Sequence, residues 1–103
     1  MTKIYIEKNK NKYIVTANGH ATGSDKVCAA VSALVYSLHG YLMNSDGDVY
    51  ASINEIYPNG AKAEFEWFGD SAAKAIFELI LVGFMSLKLS EGKYISVNFV
   101  DNT

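Results

Sequence analysis

One cysteine in the whole chain, Cys28, leaves no partner for an intrachain disulfide and too few thiols for a cysteine-based zinc site. Basic charge is not in excess either: nine cationic side chains face eleven anionic ones, for a net charge of −2. Without a cationic footprint, binding of nucleic acid through its phosphates has no support. The eight glycines form no phosphate-binding loop. The acidic stretch around Asp46 and Asp48 lacks the glycine position and the second cluster of an EF-hand, and reads as a solvated turn. The longest apolar stretch, Ala75 to Leu89, is interrupted by Glu78, Ser86 and Lys88, and its fifteen residues fall short of a bilayer span, which takes about 20. The opening residues Met1 to Glu7 alternate like a strand and do not resemble a signal peptide. These absences point to a cytoplasmic protein that needs no metal or cofactor and engages neither nucleic acid nor membrane.

What is present fits one domain spanning residues 1–103, with a single core. Residues 3–8 and 12–18 alternate across the polar tip Asn9-Lys10-Asn11, as a hairpin does. In the second strand Tyr13, Val15 and Ala17 share one face. Asp25 offers a side-chain oxygen to cap a helix that runs to about Leu38 or His39, with Gly40 as its stop. Val27, Val31, Leu34 and Leu38 fall at helical spacing and should face a sheet. Strands near 48–55 and 61–68 flank Tyr57-Pro58-Asn59-Gly60, whose Asn-Gly pair is a hairpin signal. Asp70-Ser71 open a second helix through about Leu89, and Lys93 to Val100 close the fold as a strand with Ile95, Val97 and Phe99 inward. The order ββαββαβ predicts an α+β fold, a mostly antiparallel sheet with two helices packed on one face.

Chemistry concentrates between the second strand and the first helix, in Gly19-His20-Ala21-Thr22-Gly23-Ser24-Asp25-Lys26-Val27-Cys28. A thiol near a helix N-terminus meets unpaired peptide N–H groups and the positive end of the helix dipole, both of which favour the thiolate. An imidazole close by completes the minimum apparatus for nucleophilic acyl transfer. Cys28 is the candidate nucleophile and His20 the candidate general base and acid. His39 lies eleven residues beyond Cys28, about 16 Å along a helix at 1.5 Å per residue, and is read as a charge suited to the helix C-terminus. Asp25 serves as the cap, or orients His20 as the acidic member of a triad does. Ser32 sits one turn below Cys28, as a site hydroxyl or a packing residue. Gly19 and Gly23 supply tight turns and room for a substrate backbone. The amide of Cys28 and a neighbour at the helix start are the candidate oxyanion donors.

Gly19-His20-Ala21, Gly23, Asp25 and the run Val27-Cys28-Ala29-Ala30-Val31-Ser32 resemble the signature of the ribosomal-processing cysteine proteases, the Prp family. The resemblance extends over essentially the whole chain in its order of elements. It implies a cysteine endopeptidase that trims an N-terminal extension from a large-subunit ribosomal protein precursor, cutting after an aromatic residue. It carries the catalytic pair onto His20 and Cys28, and it implies a homodimer. The segment between these two residues is shorter than in typical members. Two alternatives follow: the same chemistry on another protein, such as a phage structural precursor, or a non-catalytic peptide-binding or assembly module on the same scaffold. Surplus apolar surface on the second helix independently favours a homodimer. Tyr36, Tyr41, Tyr50 and Tyr57 are candidates to line a peptide groove.

Overall fold

A computed structural model describes residues 1–21, 23–45, 47–58 and 61–102. Its elements follow the order β1 (Thr2–Asn9), β2 (Lys12–Asn18), α1 (Asp25–Asn44), β3 (Val49–Ile56), β4 (Lys62–Gly69), α2 (Ser71–Glu91) and β5 (Ile95–Asp101). The strands form one sheet in the order β3-β4-β2-β1-β5. Every neighbouring pair is antiparallel except β1 and β5, which α2 brings side by side by crossing from β4 over the sheet. The sheet is therefore mixed, with one parallel seam. The Asn59-Gly60 turn and Asp46 of the acidic loop lie outside the described residues.

Period-two alternation sets which face is covered. Ile4 and Ile6, Tyr13, Val15 and Ala17, Ala63, Phe65 and Trp67, and Ile95 and Val97 all point to the helical side and are buried. Trp67 is fully buried, its ring against Tyr13 and Phe77. Its indole N–H donates to the Ala73 carbonyl at 3.1 Å, which ties β4 to the first turns of α2 and satisfies a buried donor. The helices approach closely where Gly83 faces Leu34; a Cβ there would stand 2.7 Å from Leu34 Cδ2.

Two sequence expectations about the first helix change. First, α1 does not stop at Gly40 but runs to Asn44. Leu42, beyond the glycine, is buried beside Val35 and Leu38, and that packing outweighs the roughly 1 kcal/mol cost of an interior glycine. Ser45 then closes the helix, its hydroxyl donating to the Leu42 carbonyl at 3.0 Å. Second, His39 is consequently an interior residue rather than a terminal charge. Its Nδ1 lies 2.8 Å from Asn54 Oδ1 while Asn54 Nδ2 donates to the His39 carbonyl at 3.2 Å, a reciprocal tie between α1 and β3. By contrast, α2 runs Ser71–Glu91, as expected to within two residues. Among the described residues α1 is the one helix long and apolar enough to cross a membrane by length and composition. A core helix passes the same test, and α1 lies on the sheet with Val27, Val35, Leu38 and Leu42 buried.

Two glycines make opposite predictions from the same substitution. Gly69 has φ +151°, and a Cβ there would stand 2.5 Å from the Asp48 carbonyl oxygen and 2.9 Å from Ala73 Cβ. Gly69→Ala should therefore destabilise the protein by about 2–3 kcal/mol. Gly40 has open space where a Cβ would go, so Gly40→Ala should stabilise it by up to about 1 kcal/mol. Urea melts of the two variants against the parent chain check both signs.

Candidate active site

The site is built where β2 turns back into α1. Gly19 ends the strand at φ +83°, pressed so close to the start of β1 that a Cβ would lie 2.8 Å from the Met1 carbonyl oxygen. Its N–H donates to the Ala61 carbonyl at 2.8 Å. His20 follows with an exposed ring, and Ala21 is buried. The Ala21 carbonyl accepts twice, from the Ser24 N–H at 3.0 Å and from the Cys28 thiol at 3.7 Å. Gly23 takes φ +92°, a left-handed conformation that reverses the chain cheaply only at glycine.

The helix cap is Ser24, not Asp25. Ser24 has the extended backbone of an N-cap (φ −142°, ψ 99°), and its hydroxyl accepts from the Val27 N–H at 3.2 Å. Asp25 is already helical, and its carboxylate occupies the first turn, where the dipole favours an anion. This moves Cys28 to the fourth helical position. Its amide donates to the Ser24 carbonyl at 3.2 Å and is not free to hold an oxyanion in this conformation. The amides of Asp25 and Lys26 precede the first intrahelical bond and, among the described residues, meet no acceptor. They are the donors that the helix start presents. No hydrogen bond joins Asp25 to His20 among the described residues.

Cys28, half-buried, and His20 line one small pocket of about 50 Å³ together with Thr2, Gly19, Val31 and Ser32. A second hollow of about 120 Å³ shares Thr2, Gly19, Val31 and Ser32 with the first and continues along α1. Its walls are mainly apolar, from Ala17, Val31, Val35, Ile56 and Ala63, with Tyr36 and Lys62 among the residues that line it. The two form a cleft with the thiol and imidazole at one end. At the β3–β4 end the Tyr57 hydroxyl donates to Glu64 Oε1 at 2.8 Å, and Lys62 Nζ bonds the same oxygen at 3.2 Å. These bonds, the tyrosine's foremost, hold the Glu64 carboxyl below its ordinary pKa, while the phenol of Tyr57 is pushed up. A larger hollow of about 490 Å³ lies at the other end of the sheet, by Asp48, Phe68 and Asp70. It is lined by neither cysteine nor histidine.

The sequence-predicted residues thus separate. His20, Cys28, Gly19 and Ser32 share the pocket; Gly23 and Asp25 shape the turn and helix end without lining it. Of the four tyrosines, all exposed, only Tyr36 reaches the cleft. Thr2 was missed, although strand alternation marks it: it occupies an inward position in step with Ile4 and Ile6, a polar residue where an apolar one is expected, and it is 2% exposed.

A thiol near a helix start and an imidazole line one pocket on an α+β scaffold, the residue types that cysteine-dependent acyl-transfer hydrolases use. The model of the cysteine protease Prp family matches residues 1–96, and the chain belongs to that family. Solved structures agree on the fold. The crystal structure of the essential ribosomal processing protease Prp from S. aureus with a covalently linked product peptide is similar at a TM-score of 0.77 and 19% identity, over 96% of this chain and 99% of that one. The same enzyme with a substrate peptide gives 0.71 and 20%, over 96% and 99%. SMU.848 from Streptococcus mutans gives 0.72 and 20%, over 98% of both chains. No curated protein matches the chain significantly. The chain is a cysteine protease by family, and its ββαββαβ order is that of the Prp structures.

The cap assignment makes a prediction. Ser24→Ala removes the acceptor of the Val27 amide and should cost about 1 kcal/mol. Asp25→Ala removes only a favourable dipole interaction and should cost a few tenths, within the roughly 0.3–1 kcal/mol range of such exposed charges. Chemical denaturation of both variants ranks them; a larger loss for Asp25→Ala would contradict the assignment.

Proposed function

We propose that the protein is an endopeptidase in which Cys28 is the nucleophile and His20 the general base and acid, and that its substrate is the N-terminal extension of a large-subunit ribosomal protein precursor. The observation that carries this reading is the shared pocket: the only cysteine and His20 open into one cleft in a chain of the Prp family. His20 takes the proton of the thiol, which leaves the Ala21 carbonyl, and Sγ attacks the scissile carbonyl carbon. The tetrahedral oxyanion is met by N–H donors at the start of α1. Its collapse breaks the C–N bond, and His20 returns the proton to the departing amine. Water, deprotonated by His20, then hydrolyses the thioester and frees the thiol. The apolar hollow beside Cys28 suits an aromatic side chain next to the cut. The S. aureus enzyme's complexes with a substrate peptide and with a covalently linked product peptide support a peptide substrate.

The same reading includes a homodimer in a reducing cytoplasm, where a free thiol persists. Leu79, Val82 and Leu89, 65%, 61% and 89% exposed, lie three and seven residues apart on α2 and so share one outward face. Apolar side chains so placed favour burial against a second copy.

Incubation with the ribosomal precursor and mass spectrometry of the products test the function. Wild-type protein should remove the extension, Cys28→Ser should leave it intact, and His20→Ala should slow removal by at least about 100-fold. Cleavage of a different protein after a similar aromatic residue would support the chemistry and contradict the substrate. For the dimer, sedimentation equilibrium of Leu79→Glu/Val82→Glu should give a monomer while the parent chain sediments at twice the monomer mass.

A further inference from the structure

The apolar hollow beside Cys28 lies between α1 and the β3–β4 end of the sheet. Val31, Val35 and Tyr36 line it from the helix, and Ile56, Lys62 and Ala63 from the strands. Its width is the spacing between these elements. The two strands are not held equally. β4 is paired on both sides, by β2 and β3, whereas β3 is an edge strand with β4 as its one strand neighbour among the described residues. The register of β3 on β4 also shifts between Ala51 and Ile53. Such an irregularity bends the strand that carries it, so the ladder alone does not fix how far β3 stands from α1.

A side-chain clip does. His39 Nδ1 lies 2.8 Å from Asn54 Oδ1, and Asn54 Nδ2 donates to the His39 carbonyl at 3.2 Å. An amide oxygen only accepts, so Nδ1 carries the hydrogen of the first bond. Both bonds run directly between α1 and β3. The clip also shares its faces with the hollow. His39 follows Val35 by four residues and Tyr36 by three, on one side of the helix. Asn54 and Ile56 pair with Phe65 and Ala63, both buried on the helical side of the sheet. The clip therefore stands one helical turn, about 5.4 Å, and one pleat, about 6.6 Å, from the two walls. Apolar contact would hold helix to strand without direction, whereas hydrogen bonds fix a heavy-atom spacing to within a few tenths of an ångström.

We propose that His39 and Asn54 are positioning residues for substrate: their reciprocal bonds set the width of the hollow, and with it the side chain accepted next to the cut. This rests on the reading above that the hollow takes an aromatic side chain. The test compares kcat/KM for two peptides that copy the precursor's cleavage site and differ only in phenylalanine or leucine before the cut. Wild-type protein should prefer phenylalanine about tenfold or more. His39→Ala and Asn54→Ala should each lower that preference at least about fivefold, chiefly through KM. The double variant should lower it no further, as partners in one contact do. Alkylation of Cys28 by iodoacetamide against pH should match wild type in all three, since neither residue lines the pocket of Cys28. A shifted alkylation profile would place the effect at the dyad and overturn the proposal. His39→Leu/Asn54→Leu replaces both bonds by apolar contact, which keeps the fold at little cost, and it carries the test if an alanine variant is unfolded. It should discriminate no better than the alanine variants. A leucine pair that recovers the wild-type preference shows a role in stability alone and overturns the proposal. Folded single variants that keep the preference, or lose activity equally on both peptides, overturn it too. Wild-type protein that cleaves neither peptide, or both equally, overturns the reading of the hollow and this proposal with it.

Discussion

The capped turn between β2 and α1 is the constraint on which the site depends. The Ala21 carbonyl collects the Ser24 amide and the Cys28 thiol, and Ser24 receives the Val27 amide on its side chain and the Cys28 amide on its carbonyl. Four hydrogen bonds within a few residues thus decide where α1 begins and where the sulfur points. A helix started one residue later would rotate Cys28 by about 100° and turn it out of the cleft. The rest of the fold serves this placement: the sheet supplies Gly19 and Thr2 as one wall, and the buried Val27, Val35, Leu38 and Leu42 lock the helix axis to it.

The thiol rests as a donor to the Ala21 carbonyl, and the start of the same helix presents two amides that meet no acceptor among the described residues. A sulfur–oxygen distance of 3.7 Å is long enough for this bond to be surrendered readily. In the proposed mechanism, attack requires that the thiol proton pass to the imidazole that lines the same pocket.

Legibility in the sequence followed the strength of the local signal. Strict alternation in Tyr13-Ile14-Val15-Thr16-Ala17 and in Ala63-Glu64-Phe65-Glu66-Trp67 placed the central strands and their inward faces. The two-helix, five-strand order and the family signature at His20 and Cys28 were equally plain. Helix ends were not. Ser24 and Asp25 are adjacent and both good caps, and only the backbone conformation at Ser24 separates them. Gly40 looked like a stop because a local propensity was weighed without Leu42, whose burial is a tertiary fact.

The most direct test of the central claim is the pH dependence of Cys28 alkylation in wild type and His20→Ala. An activated pair predicts rapid modification extending well below pH 8, and a loss of that low-pH reactivity when the imidazole is removed. A thiol that reacts only above about pH 8.5, as free cysteine does, and that ignores the loss of His20 even with a substrate-like peptide bound, would contradict the assignment of these two residues as nucleophile and base.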